Sequence, residues 1–174
     1  SIRYLGSLIS NDGRMSSELG ARIGGATAEF ETLRRIWGHC SLTRAKRVQI
    51  FRACVESRLL YALHSGVLNV AERRRLDGFQ ARCLRRIMGI SPSFVSRISN
   101  AAVLKSAGCK PCSIILRERQ AKYVGTLRER PVHDPCRQLV FQSDGNFRGF
   151  CGPRRVGRPR ITWLDQVIGW SGHS

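Results

Sequence analysis

Apolar positions recur along this chain in two rhythms. Residues 1–9 alternate poorly but are rich in strand formers (Ile2, Tyr4, Leu5, Leu8 and Ile9), and Asn11-Asp12-Gly13 supplies a turn. A short strand or half-hairpin is predicted there. From Ser16 the spacing changes to three or four residues. Ile23, Thr27, Phe30, Leu33 and Trp37 fall on one face of a helix that Gly38 ends, with Gly24-Gly25 a local weakness inside it. Ser41 or Thr43 can cap a second helix with the stripe Val48, Phe51, Val55 and Leu59. Asn69 and Glu72 have the spacing of a capping box. They open a third helix with the stripe Leu76, Phe79, Cys83 and Ile87, stopped at Gly89.

The short connections between these helices predict a three-helix bundle over residues 14–90. Residues 91–99 read as a loop, Ser99 as the cap of a short helix ending at Gly108, and the stretch after Pro111 as a longer helix to about Arg130. Asp134-Pro135 begins another short helix. Residues 144–160 gather Gly, Pro and Arg and read as a flexible basic linker, followed by a terminal turn or two at Thr162-Trp163-Leu164-Asp165. The predicted fold class is mainly α. It comprises an N-terminal strand or hairpin over 1–13, the bundle over 14–90, a helical segment over 91–143 and a basic, partly flexible extension over 144–174.

Charge sharpens this picture. Lys and Arg number 30 against 12 Asp and Glu, a net charge of +18 in 174 residues, and Arg supplies 26 of the basic groups. Residues 1–87 and 88–174 each carry +9, so no neutral domain with a basic tail is present. Arg offers a planar fork that fits phosphate and a flat cation that stacks on bases. Nucleic acid is therefore the expected partner, ahead of an anionic membrane surface. The outer faces of the helices carry the candidate phosphate contacts: Arg34, Arg35, Arg44, Lys46, Arg47, Arg73, Arg74, Arg75, Arg85 and Arg86. Arg158 and Arg160, in Gly157-Arg158-Pro159-Arg160, add a minor-groove-hook pattern or a plain basic linker.

Little else points to chemistry. The five Asp are scattered at 12, 77, 134, 144 and 165, mostly at predicted turns and caps, so no paired-metal catalytic site is expected. No phosphate-cradling Gly-rich loop ends in Lys-Ser/Thr. His39 and His64 have no triad partners nearby in sequence. Cys109 and Cys112 form a C-x₂-C pair that His133 and Cys136 could complete as a zinc site, although the intervening helix is long for a compact zinc module. Seven Cys, an odd number without a secretory signal, suggest reduced thiols and an intracellular setting. No stretch is long and apolar enough for a membrane span. The chain reads as a piece of something longer.

Three segments together resemble one family. Arg3-Tyr4-Leu5-Gly6-Ser7-Leu8-Ile9-Ser10-Asn11-Asp12-Gly13 resembles the strand that follows the polymerase palm in reverse transcriptases of non-LTR (LINE-type) retrotransposons. Arg74-Arg75-Leu76-Asp77-Gly78-Phe79-Gln80-Ala81-Arg82-Cys83-Leu84-Arg85-Arg86-Ile87-Met88-Gly89-Ile90 resembles a thumb helix of those enzymes, and Gly157-Arg158-Pro159-Arg160-Ile161-Thr162-Trp163-Leu164-Asp165 a segment that often closes their reading frames.

The resemblance implies that Tyr4, Leu5 and Gly6 sit at a primer grip and that residues 14–90 are a thumb closing on a template–primer duplex or RNA–DNA hybrid. It also implies palm and fingers upstream in the same polypeptide, Mg²⁺ in the full-length enzyme, and a nuclear setting. The family's Phe/Tyr-x-Asp-Asp motif is absent, so this segment is expected to bind without polymerising and to need no cofactor of its own. Tyr61-Ala62-Leu63-His64-Ser65 stands where the family commonly has Tyr-Gly followed by Trp, and Gly24-Gly25 where a helix former is expected. Both departures are consistent with a degraded copy. Two alternatives remain: a stand-alone Arg-rich helical nucleic-acid-binding module, zinc-stabilised or not, and an inactive relic.

Overall fold

The computed structural model describes residues 2–11, 14–39, 41–148 and 161–171, and the fold is mainly helical with a small N-terminal hairpin. Strands β1 (Ile2–Tyr4) and β2 (Ser7–Ile9) pair antiparallel, with Ile2 opposite Ile9 and Tyr4 opposite Ser7. Leu5 (φ 46°) and Gly6 (φ 80°) form the two-residue turn, both in the left-handed region. That combination suits a hairpin, because its twist matches the right-handed twist of the strands. The predicted half-hairpin is thus complete within residues 2–9, ahead of the expected turn at Asn11. Asp12 and Gly13 of that turn lie outside the described residues.

The chain divides into two compact units, residues 1–116 and 117–174. In the first, α1 (Ser16–Thr32) is followed by a break at Leu33 and the short α2 (Arg34–Trp37). The predicted single helix is therefore two, yet the stripe holds: Phe30 stacks on Trp37 with centroids 4.9 Å apart, and the indole N–H donates to the Phe30 carbonyl. Thr43 caps α3 (Arg44–Ile50), which runs on through a π-helical stretch, Phe51–Glu56, into α4 (Ser57–Leu59). The wider π turns bring neighbouring residues inward together, so Val55 and Glu56 are both buried. Asn69 and Glu72 form the expected reciprocal capping box on α5 (Val70–Met88), and Gly89 ends that helix at φ 68°.

These helices run up, down and up. Arg58 of α4 reaches Glu29 in α1, while Phe51 of α3 packs edge-on to Phe30. Gly20 of α1 lies beside Arg75 of α5, and Glu31 pairs with Arg86. So α1 and α5 run parallel, with α3 and α4 returning between their ends. Gly25 is where Arg58 crosses α1: an added Cβ would sit 3.3 Å from the Arg58 Nε. Gly25 therefore accommodates a crossing side chain, while Gly24 faces open space.

The core extends past the predicted boundary at residue 90. Val103 and Leu104 from α7 (Asn100–Ser106), with Cys112 and Leu116 from the start of α8 (Cys112–Glu129), join Leu19, Phe30, Phe51, Leu76 and Ile87 in one cluster. Ser99 caps α7 as expected, and Gly108 follows it at φ 62°. Residues 91–98 hold one helical turn, α6 (Ser93–Ser96). The start of α8 is capped from a distance: the Asp77 carboxylate on α5 accepts from the backbone N–H and hydroxyl of Ser113 (2.8 and 2.6 Å). Gln80, fully buried, donates to Glu56 and the Lys110 carbonyl and accepts from the Cys112 N–H.

In the second unit, Asp134 caps α9 (Pro135–Val140) and Leu127, Phe141 and Val167 are buried. Residues 144–148 depart from the linker expectation. Phe147 bridges back to Phe141, their rings stacked at 5.0 Å around a turn at Gly145. Thr162 and Asp165 cap α10 (Trp163–Ser171) reciprocally, and Trp163 packs edge-on to Tyr123. Residues 149–160, with Arg154, Arg155, Arg158 and Arg160, lie outside the described residues. No helix among those described is long and apolar enough to cross a membrane.

Candidate nucleic-acid interface

Residues 14–90 contain six acidic side chains, and each is engaged inside the fold. Glu18 accepts from the Leu8 N–H (2.6 Å), the Ser7 hydroxyl (3.0 Å) and Arg22 Nε (2.6 Å). Glu29 pairs with Arg58 and Glu31 with Arg86. Glu56 accepts from Gln80, Glu72 completes the cap of α5, and Asp77 caps α8. The cations outnumber them. Among the described residues, Arg34, Arg35, Arg44, Lys46, Arg74, Arg75 and Arg82 are exposed and have no carboxylate partner. The surface thus carries a surplus of positive charge that its own anions do not neutralise.

Much of that surplus collects at one end of the bundle. Arg34 and Arg35 on α2, with Glu31, Thr32, Gly38 and His39, line an open hollow of about 830 Å³. Arg47 donates to the His39 carbonyl (2.8 Å), which ties the first turn of α3, with Arg44 and Lys46, to the same rim. Because α1 and α5 run parallel, Arg82 and Arg86 arrive at this end as well. Arg86, in the last turn of α5, also faces the negative end of that helix dipole, a modest stabilisation of about 0.3–1 kcal/mol, whereas Arg44 and Lys46 stand at the positive end of α3. Arg74 and Arg75, with the half-buried Arg73, sit at the other end of α5, so the ten predicted contacts do not form one patch.

Arg85 leaves the predicted set. It is 6% exposed, and its guanidinium is used inside the protein: Nη1 donates to the Ser91 carbonyl and Ser96 hydroxyl, Nη2 to the Ile98 carbonyl, and Nη2 and Nε to the Asn100 Oδ1. It fastens the 91–100 loop to α5 and cannot reach a phosphate. Its neighbour Arg86, about 100° further round the helix, is exposed, lies over the Phe30 ring at 5.6 Å and holds Glu31.

The hairpin is held just as firmly. Besides the Glu18 contacts, Arg22 donates to the Gly6 carbonyl, and the Tyr61 hydroxyl donates to the Leu5 carbonyl at 3.2 Å. The Arg22 guanidinium lies 4.7 Å over the Tyr61 ring. Tyr4, Leu5 and Gly6 are therefore fixed on the bundle, with Ile2, Tyr4, Leu5 and Ile9 exposed. Glu18, Arg22 and Tyr61 were missed in the sequence because their partners lie 10 to 56 residues away. The one local signal was Glu18 and Arg22 at i,i+4. Comparison with protein-family models, curated proteins and solved structures gives no match. Function here rests on the site itself.

Among the described residues, the remaining candidate chemistry is not brought together in one centre. Among the described residues, no three His, Cys, Asp or Glu side chains are grouped to hold a metal ion. Cys112 is a fully buried core residue, and Cys109 is half-buried with its thiol raised by burial and by Glu56. Cys136 and His133 are exposed beside α9. Burial likewise pushes the Cys83 thiol up to about 12, so it behaves as an apolar residue. The described Asp residues are engaged as helix caps or in turns. Hydrogen bonds from the Arg137 and Cys136 N–H lower Asp134, those from Asn146 lower Asp144, and those from Thr162 lower Asp165. These carboxylates do not fit the converging pair that two-metal phosphoryl transfer uses.

Proposed function

We propose that this chain is a nucleic-acid-binding thumb of the reverse-transcriptase type, which grips an RNA–DNA hybrid or template–primer duplex through phosphate contacts and leaves catalysis to carboxylates elsewhere in a longer polypeptide. The observation that carries this reading is the use of all six acidic side chains of residues 14–90 within the fold while exposed Arg and Lys are left without carboxylate partners. Such a surface repels itself until a polyanion covers it. The hairpin clamped on the bundle, with Tyr4, Leu5 and Gly6 at its turn, supports a primer-grip role for that element. Phosphate contacts fix register without reading sequence, so binding is indifferent to base composition.

A salt titration of binding to a fully paired RNA–DNA hybrid tests the proposal. With about six phosphates engaged, log K falls against log salt with a slope near −5. A slope near zero contradicts it. A second reading, a stand-alone binding module, draws on the one continuous core that spans residues 19–116. It predicts the same slope and no preference for a recessed primer end, which a thumb favours over a blunt end.

A further inference from the structure

The loop after α5 combines two features that rarely coincide. Phe94 is 79% exposed and Val95 60%, with Ile98 also exposed. Yet the backbone beneath them is braced by the buried Arg85, by the Ser96 hydroxyl donating to the Ser91 and Pro92 carbonyls, and by the Ser99 cap on α7. Single exposed apolar residues are ordinary on protein surfaces. A buried guanidinium whose hydrogen bonds go to carbonyls, a hydroxyl and an amide oxygen of the loop is a costly arrangement for an idle loop. It fixes the backbone that carries the ring.

The surroundings indicate what the ring meets. From Gly78 to Leu116 the chain has no Asp or Glu, and Arg82, Arg97 and Lys105 in that stretch are exposed. The loop leaves the same end of α5 that carries Arg82 and Arg86, and Arg97 within it is exposed. A partner there is an anion, and one with flat π faces suits an exposed phenyl ring. We infer that Phe94 is a stacking platform for an unpaired base, seated where the strand leaves the duplex that the arginines hold. This rests on the nucleic-acid reading above and adds to it the recognition of a single-stranded extension.

The test uses the full chain and two probes: a fully paired RNA–DNA hybrid, and the same hybrid with a short single-stranded extension carrying 2-aminopurine. The wild type binds the extended probe more tightly and quenches its fluorescence. Phe94→Ala weakens binding to the extended probe about tenfold, the scale of losing one stacked base. It leaves the paired probe and the melting temperature unchanged, and Phe94→Trp retains binding and quenching. An equal effect of Phe94→Ala on both probes, or none on either, overturns the inference while leaving the phosphate interface standing. So does a wild-type dimer that Phe94→Ala dissociates, since the ring is then a protein contact. A wild type that binds neither probe overturns both readings.

Discussion

The hairpin of residues 2–9 and the loop of residues 91–100 are each fastened to the bundle by one arginine, in opposite electrical settings. Arg22 is neutralised by the buried Glu18, which also accepts from the strand backbone. The contacts recorded for Arg85 are neutral: two carbonyls, a hydroxyl and an amide oxygen. The first arrangement shares its load between two charges and Tyr61. The second concentrates it in a single guanidinium. Both display apolar side chains to solvent, but the hairpin offers a strand edge and the loop an aromatic ring. An edge suits further protein, and a ring suits a base.

This contrast can be broken from either side. Arg85→Met leaves two carbonyls and Asn100 without their charged donor, and its expected cost is about 3 kcal/mol in urea unfolding. Amide exchange across 91–100 accelerates with it while the hairpin is unaffected. A loss below about 1 kcal/mol would show that the loop has other support. Glu18→Gln keeps an acceptor but removes the charge facing Arg22, for about 2 kcal/mol. Here the Leu8 amide exchanges faster and the 91–100 amides do not. The smallest effect is a gain. Leu5 is held at φ 46° at a position that favours Asn, so Leu5→Asn is expected to raise stability by about 1 kcal/mol. A melting temperature that fails to rise would mean that the Leu5 side chain stabilises the turn in some other way.

What the sequence made legible was local. Thr43, Asn69 with Glu72, Ser99 and Asp134 all cap the helices that follow them, because a cap is an interaction across three residues. The apolar stripes survive the break at Leu33 and the π-helical stretch, since burial depends on phase more than on helix type. The features that position the interface were not legible. Arg85 and Arg86 are adjacent in one basic run, and only packing by the 91–100 loop separates a structural arginine from an exposed one. Asp77 resembles a surface residue of α5 until Ser113 arrives beneath it from 36 residues away. Gly25 resembles a defect until Arg58 crosses it. Each depends on which helix lies alongside, which periodicity does not encode.

The central claim is that the unmatched arginines exist for a polyanion and not for the fold. The triple variant Arg34→Ala, Arg35→Ala and Arg82→Ala tests it most directly, in salt titrations on paired RNA–DNA hybrid alongside thermal melting. Each lost phosphate contact is worth about 0.9 in the slope, so the slope flattens by about three while the melting temperature holds. An unchanged slope, or a fold that melts earlier with binding intact, contradicts the account.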